Sequence, residues 1–543
     1  MSIENQRQGI CRRLVFGTAL VAASLISLNG CGSGGGGSAP PTPPPQPPPS
    51  GWQQGVFLAS ATFAAQCQAP RTGTDPATNQ PYPDVQGAVL DENNFLRSYS
   101  NETYLWYSEI VDRDPSLYSD PISYFDLLQT TAITPSGAPK DKYHFTYDTF
   151  EYYQLSQSGV SAGYGAQWAL LSATPPREVR VAYTEPNTPA TTAGIARGAT
   201  VLAVDGVDID DNTQAGIDTI NAGLFSPQVG STHTFSILDL GAANPRTVSM
   251  TAQEITSAPV QNVKVFDTPT GRVGYMVFND HIITAEGALI DAVNQLNQGA
   301  GIDDLVLDIR YNGGGYLFIA SQFAYMIAGN AQTAGRTFEL MQFNDKHPST
   351  NPITGEAIGP TPFYNVTSGY DVRPANQPLP SLNLPRVFVL TGGGTCSASE
   401  AIMNALRGID VEVIQIGSTT CGKPYGFYPR DNCGTTYFTI QFRGVNEKNF
   451  GDYTDGFSPA NQPIQATTVP GCSVADDFSA LLGDSNESRL AAALNYRDFQ
   501  NCPAATGSTT DGMTKTGMAY SSRDGIVPKP PTLTNRIMQR WPL

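Results

Sequence analysis

The sequence is poor in histidine and has no closely paired cysteines. Its 543 residues contain no Cys-x-x-Cys motif and only four histidines, which are His144, His233, His281 and His347. No two of these histidines stand at the spacing of metal ligands. Structural zinc sites need closely spaced cysteine or histidine pairs. We therefore expect no structural zinc, no other cofactor and no catalytic triad based on histidine.

Positive charge is also scarce. Lysine and arginine total 31 against 48 acidic residues, which gives a formal net charge of -17 at pH 7. A surface of this sign repels nucleic acid and anionic lipid, so we expect neither as a partner of the folded surface. The hydrophobic fraction of 40% and the charged fraction of 15% are typical of a folded protein.

The apolar run near the amino terminus is too short to span a bilayer as a permanent helix. This run, Leu14–Leu28, follows Arg7, Arg12 and Arg13, the arrangement of a secretory signal peptide. It ends in Leu-Asn-Gly-Cys at Cys31, which resembles the lipobox of bacterial lipoproteins, where the cysteine is lipidated. We predict a signal peptide over 1–30 and a lipid anchor on Cys31, with a plain secretory signal as the alternative.

Residues 32–50 contain mainly glycine and proline and cannot form a core. We expect a tether over 31–50 that is flexible in its glycine half and extended in its proline half. Behind a lipidated Cys31 it would hold an exported domain away from a membrane, on the periplasmic or cell-surface side. Without lipidation it would be a linker with no anchor.

Six further cysteines favour disulfides, because their number is even and the chain is expected to be exported. They are Cys67, Cys396, Cys421, Cys433, Cys472 and Cys502. Cys421 and Cys433 bracket a short polar segment, and Cys472 and Cys502 bracket one helical stretch. We favour these two pairs, with free buried thiols or metal binding as the alternative.

A predicted βαβ unit has a serine at the start of its helix and a lysine after its second strand. Arg386–Thr391 reads as a buried strand, Ser397–Arg407 as an amphipathic helix and Val411–Gly417 as a second strand. Backbone N–H groups and the helix dipole at Ser397 favour an oxyanion. Lys423 would return to the same sheet edge and act as a base. A simple helix N-cap and a solvated loop lysine are the alternative.

A triple-glycine loop forms a second feature of this kind. The apolar strand Asp304–Arg310 runs into Tyr311-Asn-Gly-Gly-Gly315 and then into the apolar helix Tyr316–Ala328. Glycines between a strand and a helix let the backbone approach a ligand closely. The Gly-Lys-Ser/Thr ending of a nucleotide-binding P-loop is absent.

The segments LVLDIRYNGGG, TGGGTCSASE and TTCGKPYG occur in this order, and the chain resembles the C-terminal processing peptidases of the S41 serine peptidase family over roughly residues 90 to 500. The segment TPATTAGIARGATVLAVDGVDI, with the upstream Gly-Tyr-Gly-Ala loop, resembles a PDZ domain. The resemblance implies an α/β fold with a ClpP/crotonase-like βαβ catalytic core and an inserted small β-rich PDZ-like domain. The implied domains are a helical amino-terminal domain (51–157), the PDZ-like domain (158–255), the catalytic domain (256–502) and a C-terminal extension (503–543) without a readable role.

The resemblance also implies roles for individual residues. Ser397 is the expected nucleophile and Lys423 the expected general base. The other implied residues are the oxyanion donors Ala398 and Gly313 or Gly314, the supporting Glu400 and Thr420, and the peptide-binding Gly163, Tyr164, Gly165 and Ala166. From the residues alone, Glu400 and Thr420 are equally a helix first-turn acid and a strand-end cap, and 158–255 is a small β domain.

The resemblance predicts an exported serine endopeptidase that forms an acyl-enzyme and cuts proteins near C-terminal tails captured by the PDZ-like domain. A non-catalytic protein that holds a peptide or apolar ligand on the same fold is the alternative. Three features depart from the family pattern. The interval from Ser397 to Lys423 is slightly long, Phe427 replaces a common glutamine, and Cys396 and Cys421 flank the two candidates, where a disulfide could fix or gate the loops.

Overall fold

The computed structural model describes residues 51–75, 80–225, 227–461, 467–503 and 536–538. The expected signal peptide, Cys31 with its tether and most of the C-terminal extension lie outside the described residues. Within the described ranges, no helix has both the length and the apolar character needed to cross a membrane.

The described residues form ten α-helices and 27 strands. The helices are α1 (Val89–Thr103), α2 (Pro121–Phe125), α3 (Thr149–Tyr153), α4 (Pro189–Thr192), α5 (Gln214–Leu224), α6 (Ala285–Leu296), α7 (Leu317–Ala328), α8 (Asn330–Thr333), α9 (Ala398–Gly408) and α10 (Ser488–Phe499). The first eleven strands are β1 (Gln66–Cys67), β2 (Val85–Gln86), β3 (Phe145–Asp148), β4 (Val160–Gly163), β5 (Ala166–Ser172), β6 (Glu178–Thr184), β7 (Thr200–Val204), β8 (Val207–Asp208), β9 (Thr232–Leu238), β10 (Arg246–Thr251) and β11 (Gln253–Thr256). The remaining strands are β12 (Val260–Thr268), β13 (Gly271–Phe278), β14 (Asp304–Asp308), β15 (Gly315–Tyr316), β16 (Thr337–Gln342), β17 (Thr361–Pro362), β18 (Arg386–Thr391), β19 (Glu412–Gly417), β20 (Tyr425–Gly426), β21 (Arg430–Asn432), β22 (Thr435–Phe438), β23 (Phe442–Val445), β24 (Phe457–Pro459), β25 (Thr467–Val469), β26 (Gly471–Ser473) and β27 (Arg536–Ile537).

The central sheet has the strand order β12-β13-β14-β18-β19-β26, and its strands are parallel except for β12 at one edge. Apolar side chains alternate between its two faces. Leu305 and Leu307 belong to the core layer that contains α6, α7 and α9, whereas Val306 faces the layer that contains α10. Burial on both faces explains why the sequence of β14 is a continuous apolar run.

The predicted βαβ unit is confirmed. The strand β18 has the predicted bounds, α9 begins at Ala398, and β19 begins at Glu412 and pairs in parallel with β18. The carboxyl ends of β14, β18 and β19 therefore lie at one sheet edge, where the triple-glycine loop and the turn before α9 both begin.

Residues 160–256 contain a smaller β-rich unit with its own apolar core. Its main path has the order β10-β9-β7-β6-β5, with β8 paired to β7, so β5 is an edge strand. The helix α5 contributes Ile220 and Leu224 to this core. An edge strand beside a helix leaves room for an added peptide strand.

The segment 51–157 is not purely helical. The helix α1 packs on α2 through aromatic residues such as Phe95 and Phe125. The strand β3 pairs with β22, far along the chain, in the three-stranded sheet β21-β22-β3. The segment 51–157 therefore also contributes the strand β3, and nothing in the local sequence indicates that β3 pairs with β22.

The six cysteines form three disulfides. The pair Cys472–Cys502 was predicted and is confirmed. The predicted pair Cys421–Cys433 is wrong, because Cys433 bonds to Cys67 and Cys421 bonds to Cys396. Cys433 lies in the turn of the β21–β22 hairpin, which faces the amino-terminal segment: Ala65 N–H donates to Asn432 Oδ1 at 2.8 Å.

Candidate active site

Ser397 is the N-cap residue of α9 and is fully buried. Its backbone has φ 57° and ψ -108°, a conformation that L-residues rarely adopt. Such strain persists only where neighbouring contacts hold it, and it is common in active sites. The turn before Ser397 is held by Thr395, whose hydroxyl donates to Ile309 O at 2.8 Å and accepts from Gly392 N–H at 3.0 Å.

Lys423 follows β19 and has a fully buried side chain. Its Nζ lies 4.2 Å from the ring centroid of Tyr143 and 4.8 Å from that of Phe427. The Lys423 side chain is therefore removed from water and enclosed by two aromatic faces, which attract a cation. Phe427, which replaces the expected glutamine, is therefore in direct contact with the candidate base.

The carboxylate of Glu400 holds the two candidate residues together. Its Oε2 accepts the backbone N–H groups of Ser397 and Lys423, each at 2.8 Å. Its Oε1 accepts Gly422 N–H at 2.8 Å and the Thr420 hydroxyl at 2.5 Å. Burial raises the pKa of Glu400 against the opposing effect of these hydrogen bonds. The site thus places both predicted supporting residues, Glu400 and Thr420, in one buried cluster with Ser397 and Lys423.

The Cys396–Cys421 disulfide makes a second, covalent connection between the same two loops. Its cysteines directly precede Ser397 and Gly422, and their Cα atoms are 5.2 Å apart. The Cys421 N–H also donates to Thr395 O at 3.0 Å. The sulfur atoms lie close to the Glu400 carboxylate, but while they are bonded to each other they offer no thiolate to a metal.

The triple-glycine loop lies against the serine turn. Asn312 O accepts the N–H of Cys396 at 3.2 Å and the hydroxyl of Ser399 at 2.9 Å. The Asn312 side chain accepts Gly314 N–H at 3.0 Å. Because that N–H is engaged, Gly313 is the better of the two predicted oxyanion donors in this loop. Ala398, the other predicted donor, is the first residue of α9.

Three polar or basic neighbours of the site were not predicted. His281 Nδ1 lies 2.9 Å from Asn312 Oδ1, and Tyr143 contacts Lys423. Lys142 Nζ donates to Cys421 O at 3.2 Å, and burial lowers the pKa of Lys142. The position of His281 in the site could have been predicted from the sequence, because His281 follows the carboxyl end of β13, the strand beside β14. Lys142 and Tyr143 come from the amino-terminal segment and carry no motif.

A buried network of ion pairs surrounds Arg310, the residue that directly precedes the triple-glycine loop. Arg310, at the end of β14, forms ion pairs with Asp308 at 2.9 Å, with Asp476 at 2.6 Å and with Glu487 at 2.9 Å. Arg197 of the β-rich unit pairs with the same Asp476 at 2.6 Å. These contacts join the β-rich unit to the strand that leads into the loop.

The predicted peptide-binding residues form the turn between β4 and β5. Gly165 has φ 82°, and a Cβ there would lie 2.4 Å from Thr188, so the turn requires glycine. Tyr164 is buried, and its ring packs on Phe235. An apolar groove lies beside β5 and α5, with a lining that includes Leu170, Val179, Ile217, Ile220 and Leu224.

The central part of this site lies in a segment that is similar to a known peptidase family. Residues 272–427 match the model of peptidase family S41. The matched S41 segment contains Ser397, Lys423 and the triple-glycine loop. A carboxyl-terminal-processing protease of Picosynechococcus sp. is 31% identical over 271 residues, which are 50% of this chain and 56% of that protein. A carboxyl-terminal-processing protease of Synechocystis sp. is 29% identical over 164 residues, 30% of this chain and 37% of that protein.

The chain therefore spans about half of the first relative's length and less of the second's. A crystal structure from Bacteroides fragilis, itself assigned to the S41 proteases only provisionally, has a TM-score of 0.55 at 21% identity and covers 77% of this chain and 98% of that one. This likeness supports the mixed α/β fold. The family model and both sequence relatives describe S41 or carboxyl-terminal-processing peptidases.

Proposed function

We propose that the chain is an exported serine endopeptidase in which Ser397 is the nucleophile and Lys423 the general base. The observation that carries this proposal is the Glu400 carboxylate, which accepts hydrogen bonds from the backbone of both residues within one buried cluster. A carboxylate that bonds both loops fixes their relative position, and catalysis by a positioned base depends on such alignment.

In the proposed reaction, neutral Lys423 takes the hydroxyl proton as Ser397 Oγ attacks a peptide carbonyl. The tetrahedral oxyanion is stabilised by the N–H groups of Ala398 and Gly313. Lys423 then passes the proton to the leaving amine, and an acyl-enzyme remains. Water, deprotonated by Lys423, attacks the ester and releases the new carboxyl end with Ser397 restored.

We also propose that the central sheet is a ClpP/crotonase-like core and that 158–255 is a PDZ-like domain that captures exposed C-terminal tails. Supporting this, β5 is an edge strand beside an apolar groove, and Gly163–Ala166 forms the turn that leads into it. In the full proposal, a lipid anchor on Cys31 holds the protein on the periplasmic or cell-surface side of a membrane.

The deciding experiment measures cleavage of an unstructured protein with an apolar C-terminus. Ser397→Ala should reduce kcat/KM by about 10³-fold or more, and Lys423→Ala by about 10²-fold to 10⁴-fold. Lys142→Ala is the matched control, because it removes the half-buried lysine beside Cys421 and should leave most activity. If Ser397→Ala and Lys423→Ala cut as fast as wild type, the dyad is wrong. If wild type itself does not cut, a binding protein becomes the better hypothesis.

A separate substitution tests tail capture. Ile217→Asp places a charge in the groove beside β5. We expect loss of the preference between apolar and polar tails on long substrates, while cleavage of a short internal peptide stays unchanged. An unaltered preference among tails would exclude capture in this groove.

A further inference from the structure

The C-terminal segment of the chain lies beside the candidate active site as a short strand. The strand β27 pairs in parallel with β15, which directly follows Gly313 and Gly314. On its other side, Ile537 forms a parallel bridge with Phe427, and Met538 N–H donates to Phe427 O at 3.0 Å. The segment therefore lies between the triple-glycine loop and the loop that carries Lys423.

The side chain of Ile537 is buried in the apolar core beside the site. It is only 1% exposed and belongs to the same core as Tyr316 and Phe427. Gly315 lets β15 lie close to the backbone of His281 on the side away from β27, because its φ is 130° and a Cβ would lie 2.4 Å from His281 O. Backbone pairing on both sides and one buried apolar side chain are the features by which a groove binds an extended peptide.

We propose that Arg536–Met538 occupies the substrate groove of this chain and competes with substrates for it. The proposal rests on the function proposed above, because it identifies the groove beside Gly315 as the place where substrates bind. It also names a substrate class: extended polypeptide with a branched apolar residue that enters the position of Ile537.

The strength of this competition follows from how often the groove is open. A site that is binding-competent for a fraction of the time has its apparent Kd raised by the inverse of that fraction. A tail that fills the groove for about nine tenths of the time would weaken substrate binding about tenfold. Two paired residues and one buried side chain make a small contact that substrate can displace.

The test uses the full chain with Ser397→Ala, so that binding is measured without cleavage. The probe is a fluorescein-labelled synthetic peptide that repeats residues 533–539. Adding Ile537→Asp, which cannot bury its charge beside Phe427, should lower the Kd of the probe about tenfold. Val372→Asp is the matched control, because Val372 is 95% exposed, and it should leave the Kd unchanged.

With Ser397 intact, Ile537→Asp should also raise kcat/KM for a short peptide by about the same factor. An unchanged or weaker affinity for the probe would overturn the proposal and leave β27 as a structural strand. If Ile537→Asp does not fold, Met538→Pro removes the N–H that Phe427 O accepts without burying a charge, and the same Kd comparison decides. Because the main readout is binding, it stays informative even if Ser397 proves not to be the nucleophile.

Discussion

Removal of the Cys396–Cys421 disulfide should impair catalysis by more than its effect on stability explains. The bond joins residues 25 apart in sequence, and Cys472–Cys502 joins residues 30 apart. In the loop-closure model, a loop of either size restricts the unfolded chain by about 12 cal/mol/K. Each disulfide is therefore expected to contribute about 3.5 kcal/mol to the free energy of unfolding at 25 °C.

The two disulfides thus provide a matched pair with different surroundings. Only Cys396–Cys421 connects the turn of Ser397 to the loop of Lys423. Without it, the hydrogen bonds of Glu400 and the bond from Cys421 N–H to Thr395 O remain as connections between these loops. A displacement of about 1 Å between reacting groups can cost about 10²-fold in rate, so we expect Cys396→Ala/Cys421→Ala to reduce kcat by about 10-fold to 10²-fold.

The measurement is urea unfolding of both double alanine variants, together with kcat on one peptide substrate at a temperature where both are folded. We expect similar losses of unfolding free energy and a large loss of kcat only for the Cys396–Cys421 variant. Wild-type kcat in both variants would refute a positioning role for this disulfide. An equal loss of kcat in both would refute it too, and would show that activity follows global stability.

Two further predictions concern buried carboxylates. Glu400→Gln should reduce kcat by about 10²-fold, because an amide NH2 would face the N–H donors that now bond the carboxylate. The control Ser488→Ala, on α10, should leave kcat unchanged. A kcat near that of wild type in Glu400→Gln would contradict the role of this carboxylate. For Asp476, burial alone would raise the pKa, but the charges of Arg197 and Arg310 outweigh it and hold the pKa well below its usual range. This contribution to stability is present above the unfolded-state pKa and is lost as pH falls through the folded-state pKa. Asp476→Asn should cost about 3 to 5 kcal/mol at neutral pH and flatten the acid limb of a stability profile measured by urea unfolding, and an unchanged acid limb would contradict this assignment.

The central sheet and half of the site could be predicted because their signals are local. The strand β18 has the predicted bounds, and α9 and β19 begin within one residue of them, because apolar periodicity and a glycine-rich turn mark each boundary. Parallel pairing of β18 and β19 then brings Ser397 and Lys423 to one edge. The triple-glycine loop follows from the same rule applied to β14.

The rest of the site depends on contacts between distant parts of the chain. Tyr143 reaches Lys423 because β3 pairs with β22, and no pattern in either segment specifies that register. The wrong pairing of Cys421 has the same origin: sequence proximity favoured Cys433, but the fold brings Cys396 closer. The pairing of β27 with β15 joins residues about 220 apart and also has no local signal.

Two departures from the expected pattern, the cysteine pair and Phe427, lie among the contacts that restrict Ser397 and Lys423. A strained Ser397 and a buried Lys423 both need surroundings that restrict them. The backbone of each bonds to Glu400, the disulfide joins the residues before them, and the rings of Tyr143 and Phe427 enclose the ammonium. In place of the glutamine that the resemblance implied, Phe427 offers an aromatic face to Lys423, and its backbone oxygen accepts the N–H of Met538. The residue that borders the base is thus also the residue that pairs with the tail.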